Sequence, residues 1–274
     1  MTLQSISTSS LALEEPPSRR LEHGEIERLA GRFEGRSPQA LLAWALERFG
    51  RRLVICTSFQ ADGMVVLDMA WRLDPQVRVI TIDTGRLPPE TFELIDRVRA
   101  RYDLEVEIFC PEAAAVEALV RRGGPNLFYD SVDSRLACCR VRKVEPLKRA
   151  LAGADAWVTG LRRDQSPSRA RIRKVELDHV HGGIVKLNPL ASWTWGDVWS
   201  YVDQHRVPYH KLYGRGYASI GCAPCTRPVR PGETARAGRW WWENGDHKEC
   251  GLHLPALVPI RGRGTAGRRA GGAS

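Results

Sequence analysis

The sequence has 274 residues, 43% of them hydrophobic and 27% charged, and a net charge of +9. That length buries a full core as one large domain or two small ones, and the composition is ordinary for a soluble globular protein. No apolar run reaches the roughly 18 residues a membrane span needs. The opening "MTLQSISTSSLALEEPPSRR" lacks a basic region followed by an apolar one, so no secretory signal is read there and a cytoplasmic protein is expected.

Residues 1–20 read as a flexible arm. A leading helix follows at 37–49, "SPQALLAWALERF", with Ser37 as N-cap and Pro38 at the first helical position. "RLVICTSF" (52–59) is an apolar, β-branched run and reads as a buried strand; "MVVLDMAWRL" (64–73) reads as a helix. The same alternation continues with a strand at 77–85, a helix at 88–102, a strand at 104–110, a helix at 112–122 and a strand at 155–162. Between the last two, 134–152 reads as one helix. Strands alternating with helices predict a mainly parallel, Rossmann-like α/β sheet covered by helices on both faces. "VELDHVHGGIVKLNPL" (175–190) predicts a hairpin around Gly182 and Gly183, and 193–205 an amphipathic helix. Beyond Tyr209 the chain is irregular and rich in Gly, Pro, Cys and Trp. The last residues, 254–274, hold Arg261, Arg263, Arg268 and Arg269 and no acid, and read as a disordered basic tail.

Seven cysteines in a reducing compartment point to metal binding or catalysis before disulfides. Cys138 and Cys139 are adjacent, in "SRLACCRVRK"; Cys222 and Cys225 form the C-x-x-C turn of "GCAPC". Neighbouring helical residues diverge by about 100°. Two such thiols suit a polynuclear cluster with separate metal corners, and an iron–sulfur cube takes four thiolates. A four-cysteine zinc site and unrelated cysteines stay open on spacing alone. Arg140, Arg142 and Lys143 would offset the charge of a thiolate-bound cluster. Cys56 and Cys110 read as inert core residues. Cys250, in "DHKECGLH", has cationic neighbours that favour its thiolate.

Three stretches suit an anionic nucleotide. "SFQADGM" (58–64) follows the first strand and opens a helix, where backbone N–H groups and the helix dipole favour an anion. "IDTGR" (82–86) ends the next strand at the same sheet edge. "LRRDQSPSRARIRK" (161–174) sets six cations against one acid. Arg236 and Arg239, beside Trp240, Trp241 and Trp242, offer guanidinium forks for phosphate or sulfate.

Taken in order, "SFQADG", "IDTGRLPPET", "CCRVRKVEPL", "TGLRRDQSPSRA", "GCAPCTRPV", "GRWWWE" and "KECGLH" resemble the assimilatory sulfonucleotide reductases, in the adenylyl-sulfate branch that carries an iron–sulfur cluster. The resemblance runs from Ser58 to His253 and implies an adenine-nucleotide α-hydrolase-like fold over 21–253, with a mobile C-terminal catalytic segment. It implies that Cys138, Cys139, Cys222 and Cys225 ligate one 4Fe-4S cluster and that Cys250 is the nucleophile. Ser58, Phe59, Gln60, Ala61, Asp62, Asp83, Thr84, Gly85 and Arg86 would hold the nucleotide. Lys143, Arg162, Arg163, Arg169, Arg236 and Arg239 would face the phosphosulfate. Arg135, three positions before Cys138, receives no role.

The implied chemistry is attack of the Cys250 thiolate on the substrate sulfur, departure of AMP, and release of sulfite by thioredoxin or a similar dithiol. The partners implied are adenylyl sulfate and that donor; a homo-oligomer is expected, and neither membrane nor nucleic acid. Two other activities fit the same scaffold: reduction of 3′-phosphoadenylyl sulfate, and ATP-dependent RNA sulfuration. The latter lacks support because "SFQADG" has no Ser-Gly-Gly start to cradle pyrophosphate. A non-enzymatic cluster-binding sensor would not need Cys250.

Overall fold

The computed structural model describes residues 20–243 and Glu249. Six strands form one sheet: β1 (Leu53–Cys56), β2 (Val79–Ile82), β3 (Val106–Phe109), β4 (Ala156–Val158), β5 (Val175–Asp178) and β6 (Ile184–Leu187), in the order β3-β2-β1-β4-β6-β5. All neighbours are parallel except β5, which runs antiparallel to β6 as the hairpin pattern predicts. The central strands are unbroken apolar runs because both of their faces are covered. Val54 and Ile55, adjacent in β1, are both fully buried but enter different hydrophobic clusters. Each such side chain contributes about 1.5–3 kcal/mol on burial.

The helices are α1 (His23–Glu34), α2 (Pro38–Phe49), α3 (Ala61–Leu73), α4 (Pro89–Tyr102), α5 (Ala113–Gly123), α6 (Val132–Cys139), α7 (Glu145–Ala150) and α8 (Trp195–His205). The larger cluster joins α1 to α4 and α8 to one face of the sheet; Leu147, Ala150 and Leu151 cover the other with Val54, Ile80 and Trp157. Among the described residues no helix is long and apolar enough to cross a membrane.

Helix α1 is absent from the pattern reading. Its inward stripe of Ile26, Leu29, Ala30 and Phe33 has helical spacing, but Gly24 and Gly31 dilute the propensity. The chain enters α3 three residues earlier than expected, after Phe59 adopts a left-handed φ of 58°. Glycine is required at that entry. A Cβ on Gly63 would lie 2.5 Å from Thr57 Oγ1, and one on Gly160 would lie 2.8 Å from the Gly63 nitrogen. The first turn of α3 therefore sits directly against the chain leaving β4.

The helix expected over 134–152 is interrupted. A π-turn, Arg140–Val144, separates α6 from α7 immediately after the paired cysteines. Pro146 supplies a cause: a proline ring crowds the carbonyl four residues earlier, here that of Arg142, and removes one donor from the ladder. Cys110 also departs from expectation. It follows β3 and is exposed, whereas Cys56 closes β1, half-buried.

Candidate functional site

From β1 the chain builds outward to β2 and β3, then returns to place β4 on the other side of β1. That reversal opens a crevice beyond the carboxyl ends of β1 and β4, the usual ligand site of such sheets. A cavity of about 300 Å³ lies there, walled by Ser58, Gln60, Asp62, Thr84, Lys143, Arg162, Arg169, Arg236 and Arg239 among others. It meets the strand ends at Cys56, Ile82 and Trp157. Burial pushes the Cys56 thiol up to about 12, so it faces the cavity as a neutral group.

The loop entering α3 is braced by the protein itself. The amide of Phe59 donates to Thr57 Oγ1 (3.0 Å), and that of Ala61 to the Tyr213 hydroxyl (2.9 Å). Gln60 Oε1 accepts from the Ile220 amide (2.9 Å). The Phe59 and Ala61 side chains are fully buried in the core and stand away from the cavity wall, unlike Ser58, Gln60 and Asp62. Asp62 pairs with Arg162, which also holds Asp164 and packs on the Trp195 ring at 5.4 Å. Burial raises the Asp62 carboxyl above the ordinary carboxylate range, against the pull of Arg162.

The basic loop divides in two. Arg163 forms a two-pronged pair with Glu34 of α1 (2.6 and 2.9 Å), Arg173 pairs with Glu27 (2.5 Å), and Lys174 donates to the Arg36 carbonyl (2.6 Å). These cations fasten the loop to α1, and Arg163 stands outside the cavity wall, contrary to the expectation that it faces the substrate. Arg162 and Arg169 point inward.

Arg239 differs from the other wall cations. It is 4% exposed, donates through Nη1 to the Ile220 carbonyl (3.1 Å), lies 4.7 Å from the Trp240 ring, and its buried Nε has no partner. An orphaned buried donor is costly and marks a place for an acceptor. Gly221 makes room for it, since a Cβ there would lie 2.3 Å from the guanidinium. Arg239→Ala is expected to weaken nucleotide binding by roughly 1.5–3 kcal/mol, the range for a charged hydrogen bond. Isothermal titration with adenylyl sulfate measures this. Unchanged affinity with a lowered unfolding temperature would make the arginine purely structural.

The segment "IDTGR" forms a seam. Thr84 lines the cavity, and its Oγ1 sits 3.3 Å from Cys222 Sγ. Asp83 Oδ1 accepts from the Gly85 amide (2.8 Å), where Gly85 has φ +66°, and the Thr84 carbonyl accepts from Arg142 (2.8 Å). Asp83, Gly85 and Arg86 do not reach the wall of this cavity; Arg86 packs on Phe128 at 5.1 Å, next to the cysteines.

A second hollow of about 20 Å³ adjoins the first and is lined by Cys138, Cys139, Cys222 and Cys225 together. All four are free thiols, between 6% and 9% exposed. Arg86, Arg135, Arg142 and Lys143 surround them, and Lys143 also lines the larger cavity. The end of α6 presents one pair. The turn Ala223–Cys225, closed by the Cys225 amide donating to the Cys222 carbonyl (2.9 Å), presents the other. Among the described residues no three His, Cys, Asp or Glu side chains converge closely enough to hold a single metal ion. Four thiols about one hollow, ringed by cations, fit a larger anionic cluster. Burial raises the Cys138 thiol and pushes Cys225 up to about 12, so any metal claiming them must displace protons.

Cys250 lies outside the described residues, as do residues 1–19, nearly all of the expected N-terminal arm, and the tail at 254–274. Its sequence neighbour Glu249 is described, and its side chain is bound to Arg169 and Arg236. Sequence reasoning passed over Glu249 and Tyr213 and gave Arg135 no role. Only Glu249 had a local signal, its place in "KECGLH".

The profile of the family described as phosphoadenosine phosphosulfate reductase domain matches residues 52–228. The chain is similar to the adenosine 5'-phosphosulfate reductase of Allochromatium vinosum, 52% identical over 76% of this chain and 80% of that one. Its similarity to the same-named protein of Pseudomonas aeruginosa is 44% over 94% of this chain and 97% of the relative. A solved structure, the phosphoadenylyl-sulfate reductase of Candida auris in a phosphate complex, superposes with a TM-score of 0.66 at 31% identity, over 78% of this chain and all of that one. The FMN adenylyltransferase of Candida glabrata shares the fold alone, with a TM-score of 0.51 at 16% identity over 81% of this chain and 71% of that one.

Proposed function

The chain belongs to the phosphoadenosine phosphosulfate reductase domain family, and from that premise we propose how it works as an adenylyl-sulfate reductase. It reduces adenylyl sulfate to sulfite and AMP in assimilatory sulfate reduction, the activity for which its relatives at 43–52% identity are named. One observation supports the detailed reading: a cavity at the sheet's crevice and a four-thiol hollow share Lys143 as a common wall.

In this reading the nucleotide enters between Ser58, Gln60 and Asp62 on one side and Thr84 on the other. Arg239 donates its unpartnered N–H to the phosphosulfate, and Lys143 adds positive charge from the side of the hollow. Both offset charge developing on the leaving phosphate. The Cys250 thiolate attacks the substrate sulfur, the bond from sulfur to the phosphate oxygen breaks, and AMP leaves with the electron pair. The enzyme then carries an S-sulfocysteine. One thiol of a thioredoxin-like dithiol attacks the Cys250 sulfur and expels sulfite. Its second thiol resolves the mixed disulfide, so the dithiol supplies both electrons and Cys250 returns to the thiol.

Cys138, Cys139, Cys222 and Cys225 would hold a 4Fe-4S cluster, which when bound supplies fixed charge beside the phosphosulfate. The working compartment in this reading is the cytoplasm, and the working form a homo-oligomer. The test is sulfite release, followed with AMP, from adenylyl sulfate and from its 3′-phosphorylated form in the presence of reduced thioredoxin. The expected result is a kcat/KM at least tenfold higher for adenylyl sulfate. A preference for the 3′-phosphorylated nucleotide would reassign the substrate, and no sulfite from either would end the reading.

A further inference from the structure

Glu249 is 5% exposed and held at both its side chain and its backbone. The carboxylate takes a two-pronged contact from Arg169 (3.0 Å to Oε2, 2.7 Å to Oε1), a contact from Arg236 (3.2 Å) and the Ser168 hydroxyl (3.2 Å). Arg169 and Arg236 belong to the wall of the nucleotide cavity. The backbone carbonyl accepts from Arg135 Nη1 (3.0 Å). Arg135 belongs to the cysteine hollow: it packs on Trp240 at 4.7 Å, and its other nitrogens grip Glu243 (2.8 and 3.1 Å). One residue is thus tied at the same time to the anion wall and to the thiol hollow. It precedes Cys250 by a single peptide bond.

We propose that Glu249 is a positioning residue for Cys250: attack by the adjoining nucleophile depends on its double anchorage, carboxylate to Arg169 and Arg236 and carbonyl to Arg135. The proposal rests on the reading of Cys250 as the nucleophile. A bidentate arginine–carboxylate pair fixes direction as well as distance. Small misplacement of a reacting atom costs rate steeply, on the order of 10²-fold for about 1 Å. The carboxylate is therefore a geometric requirement of the attack, and it also occupies donors of Arg169 and Arg236 that the substrate would otherwise face. The arginines thereby separate by task, Arg169 and Arg236 holding Glu249 while Arg239 keeps its free N–H for the substrate.

The experiment compares Glu249→Gln with the unaltered enzyme in two assays. In the first, the AMP burst from adenylyl sulfate without reductant is expected to slow by about 30- to 100-fold, while the dissociation constant of AMP changes less than about threefold and iron content stays the same. This separation of rate from binding is one a general loss of structure would not give. In the second, Cys250 is alkylated with iodoacetamide without nucleotide and the modified peptide counted. Release of the anchor is expected to speed labelling by at least about tenfold. Unchanged burst and labelling rates would overturn the proposal. So would a tenfold tighter AMP constant with an undiminished burst, which would make the carboxylate a competitor of the substrate. The labelling assay needs no turnover, so it decides on the anchor even if the unaltered enzyme releases no sulfite and the functional reading itself fails. Should the glutamine variant not fold, Glu249→Asp, which keeps the charge and shortens the reach by one methylene, should give shifts of about threefold in the same directions.

Discussion

Replacing Cys250 by serine is expected to reduce sulfite production by at least roughly 10³-fold, because a covalent mechanism has no substitute for its nucleophile. Incubated with adenylyl sulfate and no reductant, the unaltered enzyme should gain one SO₃ unit on the peptide containing Cys250 and release about one AMP per active site in a burst. The serine variant should show neither. It should still bind AMP with the original affinity and keep its iron, since the cavity wall and the four hollow-lining cysteines are untouched. The competing thiols are readily told apart. Cys56 borders the cavity but is raised by burial to about 12, and Cys110 is exposed beyond β3, so neither offers a thiolate beside the nucleotide. Mass spectrometry of the trapped adduct decides it: a sulfonate on Cys56 or Cys110, or sulfite from the serine variant at the original rate, would sink the mechanism.

Cys139→Ser should remove the cluster. Anaerobically purified enzyme is expected to be brown with about four irons and four sulfides per chain, the stoichiometry of a four-thiolate cube. The serine variant is expected to lose most of that iron and most of its turnover. A hydroxyl is a poor ligand for such a cluster, and loss of one corner leaves three buried thiols among Arg86, Arg135, Arg142 and Lys143. Metal binding contributes to folding when the site forms only in the native state, so the unfolding temperature should fall as well. Iron analysis and calorimetry read both effects. Full iron and full turnover in the variant would remove Cys139 from the ligand set, and a colourless parent with about one zinc per chain would replace the cluster altogether.

The alternation of strand and helix is plain in the sequence because β1, β2 and β4 are buried on both faces and leave unbroken apolar runs. The pairing of "ACC" with "GCAPC" is legible too, since it needs only residue identity and spacing. The duties of the arginines were not. Arg163 reads like Arg162 in the sequence, yet Glu34, 129 positions away, takes one outward while Asp62, 100 positions away, draws the other in. No local pattern carries such long-range pairings. Helix α1 was hidden by its glycines. The π-turn was hidden because its cause, the proline at position 146 beyond the paired cysteines, looks like an ordinary helix interruption.

That π-turn puts the two ends of one helix under separate control. Upstream, the rotational phase of α6 decides whether Cys138 and Cys139 meet the turn at Cys222–Cys225. Downstream, the phase of α7 decides whether Leu147 and Ala150 meet the sheet beside Trp157. Each residue of an α-helix advances the phase by about 100°, and the wider turn at Arg140–Val144 reconciles two demands that a uniform screw would not meet together. Substitutions on the exposed side of this turn leave the phase alone. A one-residue deletion anywhere within it would turn one end against the other by about a quarter of a revolution. The length of this segment, more than its composition, is what natural or designed variants must conserve.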